Sequence, residues 1–290
     1  MISVHCVWHD TSGMKEDRIR QLGLIAGKGA YPRVLAESAR KQGVERLYAI
    51  AFKKETDPVI ERYVDQVDWI SIGQMSAMLD ALKASGMRHA VMAGQITPTH
   101  LFRIRPDKRM LGLLARLKQR NAETIFGAIA DELKTAGVEL MPASLFMQST
   151  MPGPGRLGGR SLAEVQREDV SLGLRVAKTT SGLDIGQTVV IKDGTVLAVE
   201  AFEGTDETIL RGGKMGGAGA VVVKVAKPGH DMRFDIPVVG ERTMKTLGKI
   251  KAAVLAVEAE RTILLEREKL VGMADAQGLV FVAVDVAAGV

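Results

Sequence analysis

In the first half of the chain, apolar residues fall in short unbroken runs, separated by stretches where they recur every three or four positions. Residues 22–26 (LGLIA), 47–52 (LYAIAF) and 67–72 (VDWISI) read as strands, and a fourth begins at residues 90–93. Between them, residues 32–42 and 74–85 read as helices stopped by Gly43 and Gly86. Two further helices are predicted over 107–120 and 122–136, with Gly137 as the stop, and residues 138–142 close the series. Continuously apolar strands alternating with helices imply a parallel sheet covered on both faces.

The pattern changes after residues 151–159, MPGPGRLGG, where two prolines and four glycines fall within nine residues. Such a cluster of chain breakers marks a boundary. Beyond it, residues 189–200 (VVIKDGTVLAVE) predict two strands around Asp193-Gly194, a strong hairpin signal. Residues 220–226 (AVVVKVA) form the most apolar strand, and 254–265 (VLAVEAERTILL) read as another strand pair. Helices are expected near 161–179, 205–211, 241–250 and 267–276. The expected class is α/β: a parallel-sheet first domain over residues 20–150, a linker at 151–159, and a distinct α+β second domain with a mixed sheet over 160–290. Residues 1–19 read as a loose leader.

Composition fits that division. A chain of 290 residues that is 46% hydrophobic and 25% charged is ordinary for a folded protein and long enough for two domains. No apolar run approaches the roughly 18 residues of a membrane span. The leader has neither an early basic cluster nor an apolar block, so it reads poorly as a signal peptide and a cytoplasmic location is expected. Cys6 is the single cysteine, so no internal disulfide and no cysteine zinc site can form, and Met14 is an alternative start that would remove it.

The net charge of +5 is concentrated. Arg103, Arg105, Lys108, Arg109, Arg116, Lys118 and Arg120 face only Asp107 within residues 101–120. The rest of the chain is close to neutral, which argues against a nucleic-acid-binding surface. Within that basic stretch Met110, Leu113, Leu114 and Leu117 share one helical face. Two readings stand: a helix packed on its own core, or an interfacial element that meets acidic lipid headgroups or an amphiphilic substrate beside Leu101 and Phe102.

Candidate chemistry gathers at strand ends. Gly27 and Gly29 end the first strand ahead of Pro32, an arrangement suited to a phosphate at a helix start or simply to a tight turn. The third glycine of a dinucleotide fingerprint and the acid after the second strand are missing, which disfavours a nicotinamide-dependent oxidoreductase. Gln95 and Thr97, in MAGQITP, are candidates for contacting a base or sugar. In the second half, LDIGQ (183–187), EAFEGTD (200–206) and KPGHDMRFD (227–235) place polar clusters beside strands, and Thr205 and Asp206 are candidate substrate contacts. If 231–235 is extended, Asp231, Arg233 and Asp235 share one side. Two carboxylates there suit a hard divalent cation, typically magnesium, with Arg233, Lys224 and Lys227 neutralising phosphate. GGKMGGAG (212–219) reads as a flexible glycine stretch bringing Lys214 to the same anion. A surface ion-pair strip is the competing reading of the Asp–Arg–Asp group.

LGLIAGKGAYP, ETDP (55–58), VMAGQITP, RNAETIF (120–126), LDIGQTVV, VEAFEGTDETILR and VVVKVAKPGHDMRFDIPVVG together resemble the UDP-2,3-diacylglucosamine pyrophosphatase family of lipid A biosynthesis. This is the two-domain type, distinct from the calcineurin-like metallophosphoesterases that perform the same step. The resemblance runs from about Leu22 to the C-terminus. It implies a Rossmann-like N-terminal domain, a catalytic C-terminal domain, and substrate held between them. It also implies magnesium-dependent hydrolysis of UDP-2,3-diacylglucosamine to UMP and 2,3-diacylglucosamine 1-phosphate. Given such a substrate, the basic helix with its leucine face makes peripheral contact with the inner membrane surface an expectation, and a homodimer is one open reading of the assembly. The family's QDxRxDxP pattern falls on residues 230–237, making Asp231, Asp235 and Arg233 the catalytic candidates and the two aspartates the metal ligands, while His230 stands where the family has glutamine. A nucleotide-sugar-binding module without chemistry is the alternative.

Overall fold

A computed structural model describes residues 19–96, 105–119, 121–229 and 231–287. The apolar runs of the first half become the parallel strands β1 (Gln21–Ala26), β2 (Arg46–Phe52), β3 (Gln66–Ile70), β4 (His89–Ala93) and β5 (Glu139–Leu140). They lie in the order β3-β2-β1-β4-β5, so the chain reverses direction across the sheet between β1 and β4. Alternation along β1 and β2 sends Leu22, Leu24, Leu47 and Ala49 to one face, against Leu35 and Ala39 of α1 (Tyr31–Lys41). Ile25, Tyr48 and Ile50 go to the other, against Met78 and Leu82 of α2 (Met75–Ser85).

The same second core takes Met110 and Leu113 from α3 (Lys108–Arg116) and Leu133 from α4 (Ala122–Thr135). The expected helix over 107–120 is therefore shorter, capped by the Asp107 carboxylate on the Met110 N–H and leaving helical geometry at Leu117. Two of its basic residues are engaged within the fold: Arg109 and Arg116 both hold Glu132 of α4 at 2.8 Å. Leu101, Phe102, Arg103 and Arg120 lie outside the described residues. Among the described residues, no helix is long and apolar enough to cross a membrane.

The second sheet is mixed. Its strands are β6 (Gly155–Gly158), β7 (Thr188–Lys192), β8 (Thr195–Val199), β9 (Val221–Lys224), β11 (Val254–Glu258) and β13 (Val280–Val284), in the order β6-β13-β11-β9-β7-β8. β9, β11 and β13 are parallel, whereas β6 and β7 run antiparallel to their neighbours. The Asp193-Gly194 turn has both φ values positive, 49° and 74°, as the predicted hairpin requires. α5 (Glu164–Gly182) covers one face; α6 (Thr205–Gly216), α7 (Glu241–Lys249) and α8 (Arg267–Gln277) cover the other.

Three expectations need correction. The glycine- and proline-rich stretch at 151–159 is not all linker, because residues 155–158 pair with β13 as an edge strand. The stretch 254–265 is not a hairpin: β11 joins the main sheet, while β12 (Ile263–Leu264) pairs with β10 (Val238–Val239) in a small parallel ribbon. That ribbon packs on the first half, with Ile263 and Leu265 buried beside Leu24, Leu35 and Met147. Residues 212–216 are not a flexible loop but the last turns of α6, where glycine lets the helix approach its neighbours. A Cβ on Gly212 would lie 2.6 Å from Val190, and one on Gly213 2.3 Å from Ile250.

Candidate active site

The strand β9 carries one polar residue, Lys224, at its carboxyl end, and it is only 7% exposed. Val221 and Val223 point to the α5 face, so Val222 and Lys224 point to the α6 face. There the Lys224 ammonium donates to Thr205 Oγ1 at 2.7 Å, at the first residue of α6. The Thr205 hydroxyl in turn donates to Glu200 Oε1 at 2.9 Å, and Thr188 Oγ1 lies 3.4 Å from it. Glu200 is 9% exposed and its other oxygen accepts the Gln187 N–H at 3.3 Å. The Gln187 side-chain amide then donates to Asp235 Oδ1 at 3.0 Å. One connected network, buried at Lys224, Thr188 and Glu200 and partly exposed at Thr205, Gln187 and Asp235, thus runs from Lys224 to Asp235 where β8 and β9 end and β7 begins. The carboxyl ends of strands are where open α/β sheets take ligands.

The segment 231–235 is a turn, not the extended strand expected. The Phe234 and Asp235 N–H groups both donate to the Asp231 carbonyl, at 3.2 and 3.0 Å. The cause is local: the Asp231 carboxylate accepts the Arg233 backbone N–H at 3.0 Å, the Asx geometry that bends a chain. The Arg233 guanidinium grips that carboxylate from Nε (2.9 and 3.0 Å) and Nη2 (2.6 Å). This bonding to Asp231 raises the Arg233 pKa against the opposing effect of burial. Both Asp231 oxygens are thereby engaged by Arg233, whereas Asp235 reaches the Gln187 network.

The turn lies on the seam between the halves. The Met232 carbonyl accepts the Ala143 N–H at 2.7 Å, joining the loop beyond β9 to the loop beyond β5. Arg33 of α1 meets Glu266, beside α8, at 3.0 Å. Lys227 ion-pairs with Glu123 of α4 and, at 3.2 Å, with Asp184, which also accepts from Asn121 at 2.6 Å. The bond to Glu123 is the main reason the Lys227 pKa is raised. Lys227, expected as a phosphate contact, is therefore already engaged by two carboxylates as a clamp across the seam.

Other expected contacts separate. Asp206 binds Arg242 at 2.6 Å and so ties α6 to α7. Lys214 lies nine residues beyond Thr205 on α6, about 13 Å of helical rise away, beside Lys249 and Lys251 at the far end of the sheet. Gly27 is answered by the fold itself. Its N–H donates to the Ala93 carbonyl at 2.8 Å, and Lys28 and Gln95 exchange backbone hydrogen bonds of 2.7 and 3.1 Å. A Cβ on Gly27 would meet the Gln95 carbonyl at 2.6 Å, and Gly94, with φ of 92°, packs equally closely on Lys28. The β1 and β4 loops are zipped together at the crossover, with Gly29 and Gln95 exposed above them. Thr97 and His230 lie outside the described residues.

The sequence reading missed Gln187, Glu200 and the buried pair Lys178–Glu258, whose atoms meet at 2.7 and 2.8 Å. Lys178 and Glu258 also bind the Ala226 carbonyl and N–H, fixing the chain just after β9. Each of Gln187, Glu200 and Glu258 is a polar residue at the end of an apolar strand, the one signal the sequence offered. As to a cation, no group of three or more His, Cys, Asp or Glu side chains suited to holding a metal exists among the described residues. Gln187 Oε1, however, is buried with no hydrogen-bond partner among the described residues, and it belongs to the amide that contacts Asp235.

Comparison with known proteins gives consistent results. Residues 21–150 match the family model for the LpxI N-terminal domain and residues 153–282 that for the LpxI C-terminal domain. The chain is 32% identical over 280 residues to the UDP-2,3-diacylglucosamine pyrophosphatase LpxI of Caulobacter vibrioides, covering 92% of this chain and 98% of that protein. Among solved structures, the biotin carboxylase domain of Hydrogenobacter thermophilus 2-oxoglutarate carboxylase matches at 12% identity and a TM-score of 0.27. That match covers 67% of this chain and 40% of that one, a likeness too weak to bear on the fold.

Proposed function

The chain belongs to the LpxI family, and on that premise we propose that it hydrolyses the pyrophosphate bond of UDP-2,3-diacylglucosamine to UMP and 2,3-diacylglucosamine 1-phosphate in lipid A biosynthesis. The observation that carries this reading to named residues is the hydrogen-bonded, partly buried network from Lys224 to Asp235 at the seam between the halves.

Lys224 supplies positive charge in a place where charge is costly to bury. Its one hydrogen bond among the described residues goes to a neutral hydroxyl, so a phosphate oxygen would be its natural counter-charge. Water adds to one phosphorus, the bond from that phosphorus to the bridging oxygen breaks, and the leaving phosphate carries away the electron pair. Cations near the bridging oxygen stabilise the charge that develops there. In this reading Lys224 meets the diphosphate, Asp235 orients the attacking water, and the Asp231–Arg233 pair holds the turn that presents Asp235.

The donors present fit magnesium: the Asp235 carboxylate and the unpartnered Gln187 Oε1 are hard oxygen ligands of the kind that cation prefers. Asp231 fits less well, because Arg233 engages both of its oxygens. Bound there, magnesium would polarise the phosphoryl group and offset the diphosphate charge.

The lipid part of the substrate finds support beside the same network. Leu183 and Ile185, just before β7, and Phe202, just after β8, are 68%, 46% and 57% exposed. Large apolar side chains on the two loops that carry Gln187 and Glu200 suit acyl chains or a membrane surface. They do so better than α3, whose apolar face is buried. Incubating the purified protein with UDP-2,3-diacylglucosamine and magnesium and following UMP release tests the proposal. Binding without release would leave only the nucleotide-sugar-binding module.

A further inference from the structure

Glu200 is a buried carboxylate that the proposed chemistry does not touch. Taking a carboxylate out of water is costly unless its oxygens are satisfied, and here both are: one by the Thr205 hydroxyl at 2.9 Å, the other by the Gln187 N–H at 3.3 Å. A hydroxyl has one proton to give. Because Thr205 gives it to Glu200, only lone pairs remain on Thr205 Oγ1, and one of them accepts from Lys224 at 2.7 Å. The same carboxylate holds the backbone of Gln187, whose side chain contacts Asp235 at 3.0 Å.

We infer that Glu200 is a positioning residue for the diphosphate site, aiming Lys224 through Thr205 and Asp235 through Gln187. This rests on the proposed function for the identity of the anion. The charge matters as well as the shape. An amide in place of the carboxylate can turn its NH2 toward Thr205. The hydroxyl proton would then face Lys224, donor against donor, and displace the ammonium.

The test uses the full-length protein and UDP as a diphosphate probe, with binding followed by calorimetry and folding by the thermal midpoint. Glu200→Gln and Thr205→Val should each weaken UDP binding about 5- to 20-fold, while Thr205→Ser, which keeps the hydroxyl, stays within about twofold. In a Lys224→Met background, Glu200→Gln should cost less than about a further twofold, since the group it aims is gone. Equal losses in both backgrounds, or unchanged binding by Glu200→Gln and Thr205→Val alike, overturn the inference. If Glu200→Gln does not fold, the Val and Ser variants of Thr205 decide the same question. A wild-type protein that binds UDP with this pattern yet releases no UMP supports the role of Glu200 and overturns the proposed hydrolysis.

Discussion

The ring of Phe234, inside the Asp231–Asp235 turn, packs on Phe126 of α4 with centroids 5.6 Å apart and planes tilted by 34°. Two residues past it, Ile236 joins the core on the other face of the first sheet. The turn that carries both candidate aspartates is therefore built by its own half and held in place by the other.

Phe234→Ala should loosen the turn without removing any reacting group. Loss of a half-buried ring and its partner is expected to cost about 2 kcal/mol of stability and about tenfold in kcat. Chemical denaturation and UMP release measure the two effects. Full activity with the same loss of stability would separate the clamp from the chemistry.

Asp231 and Arg233 act as one unit in the structure. Asp231→Asn and Arg233→Lys should therefore depress kcat to a similar extent, with the double variant no worse than either alone. Lysine keeps the charge and loses the planar fork. Additive losses would mean that Asp231 has a separate task, such as binding the cation.

Chelating divalent ions should abolish UMP release, and adding magnesium back should restore it. Gln187→Ala, which removes one oxygen donor, should raise the magnesium concentration for half-maximal rate about tenfold or more. An unchanged magnesium dependence would remove Gln187 from the ligand set.

The end of α6 separates packing from charge. Gly213→Ala places a methyl 2.3 Å from Ile250 Cγ2 and should destabilise the protein by about 1–3 kcal/mol. Lys214→Ala, one residue on, should leave stability and UMP release within about twofold of wild type. A large loss of activity in Lys214→Ala would return that residue to the site.

Glu132 gives a pH-dependent check on the basic helix. Its carboxyl is held below the usual glutamate range chiefly by hydrogen bonding to Arg109, with Arg116 adding to this and burial opposing it. A depressed carboxylate stabilises the fold above its unfolded pKa, and the contribution fades as the pH falls through the folded value. Glu132→Gln should thus be less stable than wild type by about 1 kcal/mol at pH 7, with the difference closing toward pH 3. A difference that is constant with pH would contradict the pairing.

Much of the fold could be read from the order of residues, because the deciding forces are local. The runs at 22–26 and 47–52 are apolar on both faces, and Gly86 and Asp193-Gly194 carry the positive φ their turns need. What could not be read depends on distant partners. β6 lies hidden among glycines and prolines because β13, more than a hundred residues later, gives it its ladder. α6 continues through Gly212 and Gly213 because close packing on Val190 and Ile250 outweighs glycine's poor helix propensity. For the site, the loop after β9 and Lys224 stood out as charge beside an apolar strand. Glu200 and Gln187 did not, since only the folded sheet brings the ends of β7, β8 and β9 together.

The most direct test is the rate of UMP release from UDP-2,3-diacylglucosamine by wild type and by Asp235→Asn, measured side by side at saturating magnesium. The expected result is one UMP for each lipid phosphate from the wild type. The folded variant should be slower by about a thousandfold. Equal rates from the two proteins would contradict the assignment of the chemistry to the turn at the seam.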